Sequence, residues 1–77
     1  NVSGTYTATM SFRTSNKATS MNAGGVTVKR GNRVKLKSVY FGPSRTMIKV
    51  SVNGKIGWIP DNGQGYKNAN LKGALRK

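Results

Sequence analysis

The sequence predicts an all-β domain, a small antiparallel barrel of five to six short strands. Three observations carry this. Apolar residues recur with a period of two along most of the chain. Turn residues interrupt that alternation at short intervals, at Arg30-Gly31-Asn32, Gly42-Pro43 and Asn53-Gly54. No segment carries the 3.6-residue apolar stripe of an amphipathic helix, and no internal repeat is visible. A chain of 77 residues has room for one domain, and at that size it buries only about 60% of its unfolded surface.

The first predicted strand is GTYTATMSF, where Tyr6, Ala8, Met10 and Phe12 alternate with Thr5, Thr7, Thr9 and Ser11. The polar stretch RTSNKATSMNAGG then reads as a long loop ending in two glycines. In VTVKRGNRVKLKSVYF, Val26 and Val28 are expected to pair with a later set, Val34, Leu36, Ser38 and Tyr40, across a turn at Arg30-Gly31-Asn32. By this parity Tyr40 belongs to the core, Phe41 is exposed, and Lys35 and Lys37 are wet. In TMIKVSV, Ile48, Val50 and Val52 take one face, and Met47, Lys49 and Ser51 take the other.

Asn53-Gly54 is the strongest hairpin signal, because a type I′ turn needs positive φ at both central residues. A two-residue turn pairs Val52 with Lys55 and Val50 with Gly57, and directly paired residues share a face. That count puts Gly57 and Ile59 on the core face, and Ile56 and Trp58 on the other; a bulge or a longer turn would reverse it. Trp58, the one tryptophan, is expected to be largely buried and structural. Pro60 closes the hairpin. Residues 1–66 are read as the barrel and 67–77 as a basic tail, in which Asn70 to Leu75 form a last short strand, a helical turn or a frayed end.

Composition narrows the function. The chain has no cysteine and no histidine, and Asp61 is its only acidic residue. Paired carboxylates, a Ser-His-Asp triad, thiolate or histidine metal sites and disulfides are excluded within it. A binding module without cofactor or metal is expected, not an enzyme. No apolar run approaches the roughly 20 residues that span a bilayer. No signal peptide is evident, and a start at Asn1 suggests a piece of a longer chain.

Charge is the dominant feature. Fourteen Lys and Arg against one Asp give a net charge of +13. Such an imbalance opposes folding by self-repulsion and favours a polyanionic partner: nucleic acid, an anionic membrane, or a wall polymer such as teichoic acid.

Taken in order, GTYTATMSFRTS, a long polar loop, VKRGNRVKLKSV and IKVSVNGKIGWI resemble a bacterial SH3-type (SH3b) domain. The Gly-Trp ending is also similar to the GW modules of Gram-positive surface proteins, divergent members of the same fold. The resemblance covers residues 3 to 60. It implies an SH3-like barrel, secretion, and a targeting role in a peptidoglycan hydrolase, phage endolysin, bacteriocin or surface protein. It further implies the Gram-positive cell wall as partner, through teichoic acid or peptidoglycan peptide.

Candidate ligand-binding residues are Tyr6, Arg13, Arg33, Lys35, Lys37, Phe41, Lys49 and Lys55. The run Lys29 to Lys37 holds five basic residues in nine. Along a strand Arg33, Lys35 and Lys37 would stand on one face about 6.5–7 Å apart, a row able to track the phosphates of a flexible polyanion. Solvated lysines also protect strand edges, which is the plainer role for such a row. Phe41 would offer a stacking surface at a loop edge, and Lys55 a contact in the hairpin turn. Tyr6 is a candidate through the resemblance alone, since its strand helps line a peptide groove in that family; core packing is its other reading. The competing function is a nucleic-acid-binding basic barrel, which combines stacking with phosphate contacts.

Overall fold

Among the described residues, alternation of apolar and polar residues gives seven strands: β1 (Gly4–Ala8), β2 (Phe12–Arg13), β3 (Thr27–Val28), β4 (Arg33–Phe41), β5 (Thr46–Val52), β6 (Lys55–Pro60) and β7 (Leu75–Arg76). The structure, a computed structural model, describes residues 4–20, 22–43, 45–60 and 75–76. Among them there is no helix, and the fold is all-β. Five strands form an antiparallel sheet in the order β6-β5-β4-β1-β7, and β2 pairs with β3 in a small second sheet. Ser15, just beyond β2, bridges to Trp58 through Ser15 N–H to Trp58 O at 2.8 Å and Trp58 N–H to Ser15 O at 3.0 Å. That bridge covers the outer edge of β6 and turns the two sheets into a barrel-like enclosure.

One face of the large sheet is the core. Tyr6, Ala8, Val34, Leu36, Ile48, Val50, Val52, Ile59 and Leu75 are buried there against Val28 of β3, with Phe12, Val26 and Val39 packed at the margin. Full burial of each larger aliphatic side chain contributes about 1.5–3 kcal/mol, which a domain of this size needs.

The β5–β6 hairpin has the register its turn predicts. Val52 pairs with Lys55, Val50 with Gly57 and Ile48 with Ile59. Asn53 (φ 52°) and Gly54 (φ 81°) both take the left-handed conformation that a type I′ turn requires. Gly57 and Ile59 therefore face the core, and Ile56 and Trp58 the opposite side. Trp58 is half-buried there and not fully enclosed.

Elsewhere the pattern misleads. A bulge at Lys37 shifts the β4–β5 register between Leu36 and Ser38. It reverses parity along the second half of β4, so Val39 turns to the core and Tyr40 to the other face, beside Met47. Tyr40 is thus half-buried outside the core cluster, against expectation. Phe41 is exposed as expected, at 68%. Strand β1 ends at Ala8, a bend follows at Thr9-Met10, and Met10 lies half exposed instead of continuing inward.

The segment containing Val28 does not pair with β4. It pairs back onto β2, Phe12 opposite Val28 and Arg13 opposite Thr27. The turn at Arg30-Gly31 is formed, with Gly31 at φ 91°. It is fastened to the end of β1 by Ala8 N–H to Asn32 O and Gly31 N–H to Ala8 O. The end of the chain is also part of the sheet. Leu75 is 1% exposed, and β7 pairs with β1 through Thr7–Arg76 and Ala8–Leu75. The sheet thus extends past residue 66; Tyr66, Lys67, Lys72 and the rest of 61–74 lie outside the described residues.

Candidate functional site

The face of the large sheet opposite the core carries Arg33, Lys35 and Lys49, three of the six cations that sequence reasoning singled out. Register places its residues. Thr5 lies opposite Lys35, and Thr7 opposite Arg33 on one side and Arg76 on the other. Lys35 lies opposite Ser51, Ser38 opposite Lys49, and Lys49 opposite Trp58. Directly paired residues share a face, so Arg33, Lys35, Lys49 and Arg76 form one cationic field set among Thr5, Thr7, Ser38 and Ser51. With strands about 4.8 Å apart, Arg33 and Arg76 stand about 10 Å from each other across β1. Ile56 is 45% exposed on the same face, on the flank formed by β6.

This field has almost nothing to neutralise it. The chain holds one carboxylate side chain, Asp61, for fourteen cations. One carboxylate can neutralise only one unit of that charge, so most of it remains available to an external anion.

Arg76 is the residue that sequence reasoning missed. Nothing local marks it, because it sits in a two-residue strand that exists only through pairing with β1. Lys37, by contrast, is exposed but is the extra residue of the bulge with no β5 residue opposite it, so the regular pairing that places Arg33 and Lys35 does not extend to it. Tyr6 is 5% exposed in the core, where strand parity sends it, so its ring lies beneath the surface that a ligand would meet. Phe41 stands at the far end of β4. Close by, Tyr40, Gly42, Pro43 and Arg45 form a shallow pocket of about 130 Å³ with Ala18 and Thr19 of the long loop.

Arg13 and Lys55 are 42 positions apart in sequence (55 − 13), yet they border one cleft. It lies between the β2–β3 hairpin and the β5–β6 turn, has a volume of about 340 Å³, and also touches Gly25, Thr27 and Asn53. Arg13 is fixed by neutral acceptors. Its Nε donates to Ala23 O at 2.6 Å, one terminal nitrogen donates to Thr27 Oγ1, and the other donates to Gly25 O at 3.2 Å.

The two hairpins meet at Thr14, which is 1% exposed. Its Oγ1 accepts from Val26 N–H at 2.8 Å. A Cβ at Gly57 would fall 2.0 Å from that oxygen, and a Cβ at Gly25 2.2 Å from it. The glycine of the Gly-Trp pair is thus a packing requirement: Thr14 occupies the space a side chain would need.

Among the described residues no three His, Cys, Asp or Glu side chains gather as a metal site would require, and no helix is long and apolar enough to cross a membrane. Comparison with family models, with curated proteins and with solved structures finds no match to this chain.

Proposed function

We propose that this domain is a non-catalytic cell-wall-binding module, resembling SH3b and GW domains. In this reading it holds a longer, secreted Gram-positive protein on an anionic wall polymer, teichoic acid in the first place. The parent would be a peptidoglycan hydrolase, phage endolysin, bacteriocin or surface protein.

The observation that carries the reading is the cationic face built by Arg33, Lys35, Lys49 and Arg76, with no carboxylate side chain among the described residues to neutralise it. A polymer of phosphates and hydroxyls suits such a face in two ways. The cations attract its phosphates, and Thr5, Thr7, Ser38 and Ser51 offer hydroxyl donors and acceptors between them. Binding of this kind releases counterions, so affinity falls steeply with added salt.

Nucleic acid is the competing partner. Sequence-tolerant single-strand binding relies on exposed rings on which successive bases stack. Among the described residues the aromatic rings on this face are Trp58 and Tyr40, both half-buried, while Phe41 stands at the strand end. The arrangement favours a polyol-phosphate chain over a stacked strand.

Sedimentation with purified Gram-positive walls, before and after acid removal of teichoic acid, tests the reading. Retention on intact walls and loss on stripped walls is expected. Retention on both would replace teichoic acid by peptidoglycan peptide. Tight RNA binding at physiological salt, with no retention on walls, would remove the wall reading altogether.

A further inference from the structure

We propose a second anion site, separate from the sheet face: the cleft bordered by Arg13 and Lys55 binds a single phosphate group. Lys55 pairs directly with Val52, whose side chain points to the core, so Lys55 leaves the sheet on the side opposite Arg33, Lys35 and Lys49. The β2–β3 hairpin supplies Arg13 from across the cleft.

The state of Arg13 is what makes this more than two nearby cations. Ala23 O, Thr27 Oγ1 and Gly25 O take three of its N–H groups, and a guanidinium has five. These acceptors are all neutral, so they hold the planar group in place without cancelling its charge. A guanidinium already immobilised loses little rotamer freedom when it binds, and its remaining two donors can reach two oxygens of one anion. Backbone donors nearby are already committed: Gly25 N–H to Thr14 O and Val26 N–H to Thr14 Oγ1. Among the side chains lining the cleft, recognition rests on Arg13, Lys55 and Asn53.

Two cations facing one cleft match the charge of a phosphomonoester, about −1.5 to −2 near pH 7, better than a single carboxylate. The group could be free inorganic phosphate or the terminal monoester of a larger molecule. The site stands independently of the wall reading.

Two-dimensional NMR titration of the 77-residue chain tests it, with inorganic phosphate, glycerol 3-phosphate and acetate as probes. Saturable shifts are expected at Arg13 Nε–H and at the Thr27, Asn53 and Lys55 amides with inorganic phosphate. The same shifts with glycerol 3-phosphate assign the site to monoesters, and their restriction to inorganic phosphate assigns it to the free ion. Lys55→Gln, an exposed turn substitution, should weaken binding about tenfold with the fold intact, and adding Arg13→Gln should abolish it. Three results would overturn the proposal: shifts spread evenly over the basic surface without saturation, equal saturation by acetate, or an unchanged titration in Lys55→Gln. Phosphate binding in a chain that ignores walls would leave this site standing and remove only the wall reading.

Discussion

The β5–β6 and β2–β3 hairpins are built on different terms. The first is closed by two residues, Asn53 and Gly54, whose positive φ values set the register of every pair behind them. The second pairs only two residues on each side and encloses a long loop. That loop is held by side chains. Ser15 Oγ donates to Asn22 O and accepts from Asn22 N–H, while Asn22 Oδ1 accepts from the N–H groups of Asn16 and Gly24. Arg13 adds its bonds to Ala23, Gly25 and Thr27. One hairpin is specified locally, the other by contacts distant in sequence, and the two depend on each other through Thr14 and the Ser15–Trp58 bridge.

Breaking the joint between them should have the largest effect. Gly57→Ala drives a methyl into Thr14 and should destabilise by about 3 kcal/mol, near the upper end for overpacking. Thr14→Ala alone leaves the Val26 N–H without its acceptor and should lose about 1–3 kcal/mol. The double variant should be more stable than the sum of the two losses predicts, because the clashes with Thr14 Oγ1 and Cγ2 are removed and only the one with its Cβ, at 2.6 Å, remains to be relaxed. Chemical denaturation of the four proteins measures this coupling, and strict additivity would contradict the packing account.

A smaller effect should separate the hairpins. Asn22→Ala removes the side-chain bonds to Asn16, Ser20 and Gly24, leaves the backbone bonds to Ser15 Oγ, and should lower stability by about 1 kcal/mol or more. Amide hydrogen exchange should accelerate across residues 14–26 well before it changes in β5 and β6. Equal acceleration in both hairpins would show that the loop is not an independent unit.

The turn itself offers the smallest changes. Gly54→Ala meets open space but must hold φ at 81°, at a cost of about 1 kcal/mol. Asn53→Gly keeps the required conformation available and should change stability by less than about 0.5 kcal/mol. Thermal melts of this pair separate the cost of a left-handed backbone from the cost of lost contacts.

The same contrast explains what could be read from the sequence. Alternation and the Asn-Gly turn disclosed the fold class, the inward set Ile48, Val50 and Val52, and the faces of Gly57 and Trp58. The bulge at Lys37 was hidden, because an unbroken alternating pattern such as Arg33 to Tyr40 carries no mark of an extra residue. Strand β3 was assigned to the wrong neighbour, because Val28 could match either Phe12 or Val34 by polarity alone, and only tertiary packing decides. Strand β7 is too short to show a period, so Leu75 in the core and Arg76 on the cationic face became legible only through their pairing with β1. Arg33, Lys35 and Lys49 could be named from strand parity. That Arg13 and Lys55 share a cleft could not, since it follows from the packing of one hairpin against the other.

The central functional claim is that the sheet face opposite the core engages an anionic wall polymer. Its most direct test is the affinity for intact Gram-positive walls of the unmodified chain and of the triple variant Arg33→Gln, Lys35→Gln and Arg76→Gln, measured over a range of salt concentrations. These side chains are exposed, so the melting temperature should hold or rise as self-repulsion is relieved. Affinity should fall at least tenfold, with a shallower dependence on salt. Unchanged affinity and salt dependence in a fully folded triple variant would contradict the claim.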